Sequence, residues 1–201
     1  NDFKILFKNI NTNGKNSLKY KNTTNNELTS ILQINSSYPL KKRNEVYVTT
    51  LKPITSLKFS PYHNKKSFTL EDRRIDLNSV YSLNRIAAND AVEGGASLTY
   101  GLEYKKNLTS NNAEVFNAKL ANVLRVKENK NLPGNNDLGK KTSDFFGNLS
   151  FIPNSLFKID YDISIDSDLD KTKYQSLESE INVNNFVTSF QYLNENNTID
   201  S

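Results

Sequence analysis

The chain has no cysteine among its 201 residues. Disulfides and thiolate metal sites are therefore excluded, and the redox compartment leaves no mark on the sequence. Apolar residues nowhere run on for the ~20 positions that a membrane-crossing helix needs. That excludes a helical membrane protein and leaves a β-barrel open. Histidine occurs once, at His63; with no partner pattern around it, it reads as a solvated loop residue. There is no G-x-S-x-G nucleophile elbow and no Cys/His metal spacing. A large excess of one sign of charge is also lacking. The net charge is +4, and the basic residues are scattered, which describes a solvated surface rather than a nucleic-acid patch. No catalytic residue, metal or cofactor is expected. The chain starts at Asn1 without Met or leader and stops at Asp200-Ser201 just after a strand-like run. It therefore reads as a fragment truncated at both ends.

Apolar residues are also few, at 36%, which is low for a domain with a thick soluble core. Disorder would explain this, but 10 Tyr and 11 Phe argue against it. A barrel wall needs fewer apolar residues, because only one face of each strand meets lipid.

What the sequence does have is alternation. Phe157-Lys158-Ile159-Asp160-Tyr161-Asp162-Ile163-Ser164-Ile165-Asp166 places every charge on one strand face and the apolar set on the other. Ala96, Leu98, Tyr100, Leu102 and Tyr104 alternate with Ser97, Thr99, Gly101 and Glu103. Weaker copies cover Leu177–Val183 and Phe186–Tyr192. The pattern predicts about ten strands, near 2–10, 15–23, 27–38, 45–60, 93–106, 113–128, 142–152, 155–166, 172–183 and 186–194. Many match or exceed the ~9–11 residues of a tilted membrane strand. Pro53, inside one of them, should sit at a bulge or beside a weak point, since it cannot donate to the ladder. Short turns are expected at Asn11–Gly14, Pro39–Asn44, Asn107–Asn112, Pro153-Asn154 and Asn184-Asn185. The longer connections Pro61–Val92, Asn129–Lys141 and Ser167–Lys171 fall on the other side, with the brief Thr24–Asn26 as an exception. Such sorting is the habit of outer-membrane barrels. The expected fold is thus all-β: an antiparallel up-and-down meander forming part of a large outer-membrane barrel.

Three local patterns invite a site. Asp166-x-Asp168-x-Asp170 starts like a calcium loop, but Lys171 and Leu177 stand where a glycine and a bidentate Glu belong, so a polar turn is the better reading. Glu93-Gly94-Gly95 lacks phosphate-loop spacing and reads as a kinked strand start. Asp160 and Asp162 share one strand face, whereas glycosidase chemistry needs carboxylates converging across a cleft. The most distinctive segment runs from Asp72 to Gly95 and mixes Arg, Asp and Tyr. Its alternating acids and arginines predict an ordered, self-paired loop at the barrel mouth.

This segment also carries a resemblance. Arg74, Asp76, Asn78, Asn84-Arg85, Asp90 and Glu93-Gly94-Gly95, followed by Ser97-Leu98-Thr99-Tyr100-Gly101, resemble the barrel domain of the LptD family. Upstream, Leu51-Lys52-Pro53 and Phe59-Ser60-Pro61-Tyr62 are similar to that family's strand before its long loop. The resemblance is specific between about 45 and 105. It implies assembly of lipopolysaccharide into the outer leaflet at the bacterial outer membrane. Implied partners are an LptE-like lipoprotein in the lumen, lipopolysaccharide, outer-membrane lipids and periplasmic bridge proteins reached through a domain outside this segment. Nucleic acid is not among them. The jelly-roll domain and the gate strands are expected to lie outside these residues.

On this reading 61–92 is a long extracellular loop. Lys158, Asp160, Asp162, Glu178, Glu180 and Gln191 are lumen-facing candidates. Leu98, Tyr100, Leu102, Phe157, Ile159, Tyr161, Ile163 and Phe190 are expected to face lipid. A porin or hydrophobic-substrate channel is the alternative, followed by a soluble β-rich binding module with its apolar faces buried between sheets.

Overall fold

The computed structural model describes residues 1–15, 24–61, 75–86, 92–130, 132, 137–184 and 186–196. Ten strands form: β1 (Asp2–Thr12), β2 (Asn25–Ser37), β3 (Leu40–Arg43), β4 (Tyr47–Ser60), β5 (Gly95–Leu108), β6 (Glu114–Arg125), β7 (Phe145–Asn154), β8 (Phe157–Ile165), β9 (Thr172–Val183) and β10 (Phe186–Glu195). Among the described residues there is no helix. The strands join in one sheet in the order β1-β2-β4-β5-β6-β7-β8-β9-β10, with β3 paired to β4. The register between neighbours is antiparallel wherever it is defined. The all-β meander expected from the alternation is what forms.

Two expected turns are corrected. Pro153-Asn154 ends β7, with Asn154 still opposite Phe157; the turn is Ser155-Leu156, where the Asn154 side-chain oxygen accepts from Leu156 N–H at 2.9 Å. Pro39–Asn44 is not a turn, because Leu40–Arg43 is a strand opposite Val48–Leu51. Tyr38 N–H donates to the Pro53 carbonyl at 3.2 Å, in the same register as Leu40 opposite Leu51. β2 and β3 are therefore one line of strand, interrupted where Pro39 has no N–H to give. Pro53 lies opposite that interruption, beside a weak point of the ladder. The actual turn is Asn44–Val46, where the Asn44 side-chain oxygen accepts from the N–H groups of Val46 and Tyr47 at 3.0 and 2.6 Å. The strand expected at 15–23 lies, from residue 16 onward, outside the described residues; β1 pairs directly with β2.

Asparagine closes other turns. Asn112 and Asn184 hold left-handed φ values of 59° and 55°, which short polar side chains tolerate better than most. At the β8–β9 turn the Asp166 carboxylate accepts from Asp170 N–H (3.0 Å) and Lys171 N–H (3.2 Å). A side-chain hydrogen bond between Asp166 and Asp170 lowers the first carboxyl's pKa and raises the second's. The calcium-like spacing is used for a self-capped turn.

Contacts divide the chain into two units. One comprises Asn1–Ser36, Ser56–Thr99 and Val123–Ser143; the other comprises Ser37–Thr55, Tyr100–Asn122 and Asp144–Ser201. In the first, Ile10, Ile31 and Val92 form a buried cluster with Leu6 and Leu83 against it. Ile75, Val80 and Ile86 are buried too. In the second, the cross-strand pairs sort by face. Gly147, Leu149 and Phe151 stand opposite Ile163, Tyr161 and Ile159, while Asn148 and Ser150 stand opposite Asp162 and Asp160. Large apolar side chains lie open on the first of these faces, Phe190 at 60% and Ile181 at 48%. A soluble sheet covers such a face; a barrel strand turns it to lipid.

Candidate functional site

The site forms in the first unit, where the segment before β5 folds back onto one face of the sheet. Its fold starts at Asp76. That carboxylate accepts from the N–H groups of Asn78 and Ser79 at 2.9 and 2.8 Å, and Val80 N–H reaches the Asp76 carbonyl at 2.8 Å. The turn buries Ile75 and Val80 beneath it. Strand side chains then tie down the backbone that follows. Gln33 donates to the Tyr81 carbonyl at 2.9 Å and to Ser56 Oγ at 2.8 Å. Lys58 Nζ donates to the Ser82 carbonyl at 2.7 Å. Buried backbone carbonyls must find donors, and this segment takes them from the polar face of β2 and β4.

The segment ends in a hub of charge. Glu93, 1% exposed, receives Arg85 through Nε at 2.7 Å and through Nη2. Arg125 Nη1 lies 2.9 Å from Oε1, and Lys58 Nζ 3.3 Å from Oε2. Three cations therefore share one carboxylate. Arg85 is also anchored to β5, through Thr99 Oγ1 at 3.0 Å and Ser97 Oγ at 2.7 Å. Arg125 Nη2 donates to the Gly94 carbonyl, and the Asn84 side chain accepts from Glu93 N–H at 3.0 Å. Burial alone would raise the Glu93 pKa. Arg85 first, then Lys58 and Arg125, more than offset that and hold it well below the usual carboxylate range. Gly95 takes a φ of 91°, which allows the chain to turn from the hub into β5 where a Cβ would strain it.

The residues of the sequence motif divide accordingly. Arg85, Glu93, Gly94 and Gly95 meet in the hub, with Asn84 beside them. Asp76 and Asn78 build the turn upstream. Arg74 and Asp90 lie outside the described residues, as does His63. Sequence reasoning missed Lys58 and Arg125. Each is a single cation between two apolar residues, Leu57/Phe59 and Leu124/Val126. Alternation put them on the polar face, but nothing in it said that they meet.

In the second unit the register gathers the other candidates. Lys158, Asp160 and Asp162 face Glu180, Glu178 and Ser176 across β8–β9, and Glu178 faces Gln191 across β9–β10. All six candidates lie on one face. Like charges opposite each other, as in Asp160 and Glu178, are unfavourable; Lys158 Nζ, 2.6 Å from Asp160, relieves this. Asn148 donates to Asp162 at 3.0 Å. Among the described residues, no three His, Cys, Asp or Glu side chains group as a metal site. No helix among them is long and apolar enough to cross a membrane, which says nothing of a β-barrel.

The comparisons with known proteins agree with this architecture. No curated protein matches the chain. A family model does, that of LptD, described as LPS transport system D, over residues 7–201. With nearly the whole length matched, on a meander whose strands are apolar on one face and polar on the other, the chain belongs to the LptD family of lipopolysaccharide transport and assembly proteins.

Proposed function

We propose that this chain is part of the wall of an outer-membrane β-barrel that inserts lipopolysaccharide into the outer leaflet, working with an LptE-like lipoprotein. The observation that carries the reading is the family match over residues 7–201. The two-faced strands support it. Leu98, Tyr100, Leu102, Phe157, Ile159, Tyr161, Ile163 and Phe190 are the lipid-facing set. Lys158, Asp160, Asp162, Glu178, Glu180 and Gln191 line the lumen. The 61–92 connection is an extracellular loop; its residues Tyr81 and Ser82 accept hydrogen bonds from Gln33 and Lys58, which on this reading belong to the lumen face. Periplasmic bridge proteins deliver the lipid through a domain outside this segment. The role is transport without bond chemistry.

The test is isolation of the full-length protein from outer membranes in mild detergent. An LptE-like lipoprotein should co-purify, and depletion of the protein should remove lipopolysaccharide from the cell surface. A barrel that purifies alone, conducts small solutes and leaves surface lipopolysaccharide unchanged on depletion would instead be a porin or hydrophobic-substrate channel.

A further inference from the structure

We propose that Lys58, Arg85 and Arg125 form a binding site for a phosphate group, which the Glu93 carboxylate occupies as an internal stand-in. The inference rests on the lumen-facing reading above and names the ligand chemistry of that face.

Three observations converge. First, cations from β4, β6 and the intervening segment meet at the two oxygens of one carboxylate. Convergence of cations and guanidinium forks on a single oxyanion is how proteins hold phosphate. Second, the charges do not balance. Three cations face one carboxylate, and among the described residues no second carboxylate pairs with any of them. A phosphate dianion compensates the triad better than Glu93 does. Third, Arg125 Nε is buried without a hydrogen-bond partner among the described residues, although its side chain is only 1% exposed. A carboxylate offers two oxygens, whereas a phosphate offers up to four to this set of donors.

Two of the three cations keep anchors that involve neither Glu93 nor Gly94. Ser97 and Thr99 hold Arg85, and the Ser82 carbonyl holds Lys58. Glu93 joins β5 through Gly94 and Gly95, and Gly95 already sits at positive φ. The carboxylate can therefore leave by rotation about backbone that carries no Cβ. A phosphate and the Glu93 carboxylate therefore compete for one set of cations.

The experiment uses the full-length protein with its co-purifying partner in neutral detergent. The unfolding temperature of the barrel is followed for wild type and for Glu93→Ala. Inorganic phosphate is titrated against sodium chloride at matched ionic strength. In a second arm the micelles carry phosphatidic acid, with phosphatidylcholine as control. Glu93→Ala is expected to unfold earlier and to recover with phosphate in a saturable manner. Wild type responds less, because Glu93 competes. Recovery with phosphatidic acid points to a lipid-borne phosphate; recovery with inorganic phosphate alone points to a free one. Adding Arg125→Gln should abolish the response in either arm. Equal recovery with chloride, an effect that never saturates and so reflects an adventitious ion only, or a response that survives Arg125→Gln would overturn the proposal. If Glu93→Ala does not assemble, Glu93→Asp, whose carboxylate is drawn back by one methylene, is titrated in its place. Failure of the translocon reading would show in partner co-purification, which this readout does not use.

Discussion

Replacing Glu93 by Gln should be more damaging than neutralising Lys58 or Lys158. The side chain is isosteric and keeps one acceptor, so what it removes is the negative charge. At an effective dielectric of about 20, each cation a few ångströms away loses roughly 4 kcal/mol of attraction. The three losses are partly offset, because a neutral amide avoids the carboxylate's desolvation of several kcal/mol. The net expectation is the scale for breaking a buried pair, about 3–5 kcal/mol. Geometry sharpens the contrast. Glu93 is 1% exposed, and Lys58, Arg85 and Arg125 are 4%, 2% and 6% exposed, so water cannot replace the lost charge. Lys158, 48% exposed beside Asp160, makes a surface pair worth at most about 1 kcal/mol. The assay is heat-modifiable gel migration or denaturant unfolding of the full-length barrel in detergent, comparing Glu93→Gln, Lys58→Met and Lys158→Gln. Lys58→Met should cost less than Glu93→Gln, since it reduces the excess positive charge rather than adding to it. The pH dependence has a definite sign. Glu93 titrates well below its ordinary value, so its contribution is fully present above about pH 4.5 and is lost only as acid passes through the lowered value. The gap between wild type and Glu93→Gln should therefore not close between pH 7 and pH 5. If Glu93→Gln were no worse than Lys158→Gln, or if the gap closed by pH 5, the account of the hub as a mutually dependent charge cluster would fail.

Other outcomes follow from the faces of the strands and the close contacts. Tyr161→Arg or Ile163→Arg should cost about 2–4 kcal/mol near the bilayer midplane, while Asp162→Asn should cost little; equal tolerance of both in a barrel-assembly assay would reverse the facing assignment. Gly147 stands opposite Ile163, and a Cβ there would lie 2.9 Å from the Ile163 Cγ2. Gly147→Val should therefore lose about 1–3 kcal/mol to overpacking, and Ile163→Ala in the same chain should restore part of it. Gly95→Ala, at φ 91°, should cost about 1–3 kcal/mol in backbone strain, read as a lower unfolding temperature of the barrel.

Much of this protein is written in its period of two. Phe157 to Ile165 could be assigned to faces from sequence because strand side chains alternate regardless of their neighbours. The register of β8 with β9 then brought the charges of Lys158, Asp160 and Asp162 beside those of Glu178 and Glu180 without altering any face. The arginine-rich segment was legible as self-paired, since Arg85 and Glu93 are near in sequence and carry opposite charge. Pro39 was misread as part of a turn. A missing N–H interrupts a strand as readily as it ends one, and only the pairing of Leu40–Arg43 with β4 distinguished the two. Lys58 and Arg125 were beyond reach for a related reason. Their membership of the hub depends on how β4, β5 and β6 sit side by side and on where residues 75–86 and 92–94 fold. Those are long-range placements, set by burial of Ile75, Val80, Ile86 and Val92 and by the need of buried carbonyls for donors. The sequence alone thus determined which face each strand residue occupies, because that is a local property of the extended chain. The tertiary structure alone decided which charges meet, because convergence depends on segments brought together from distant parts of the chain.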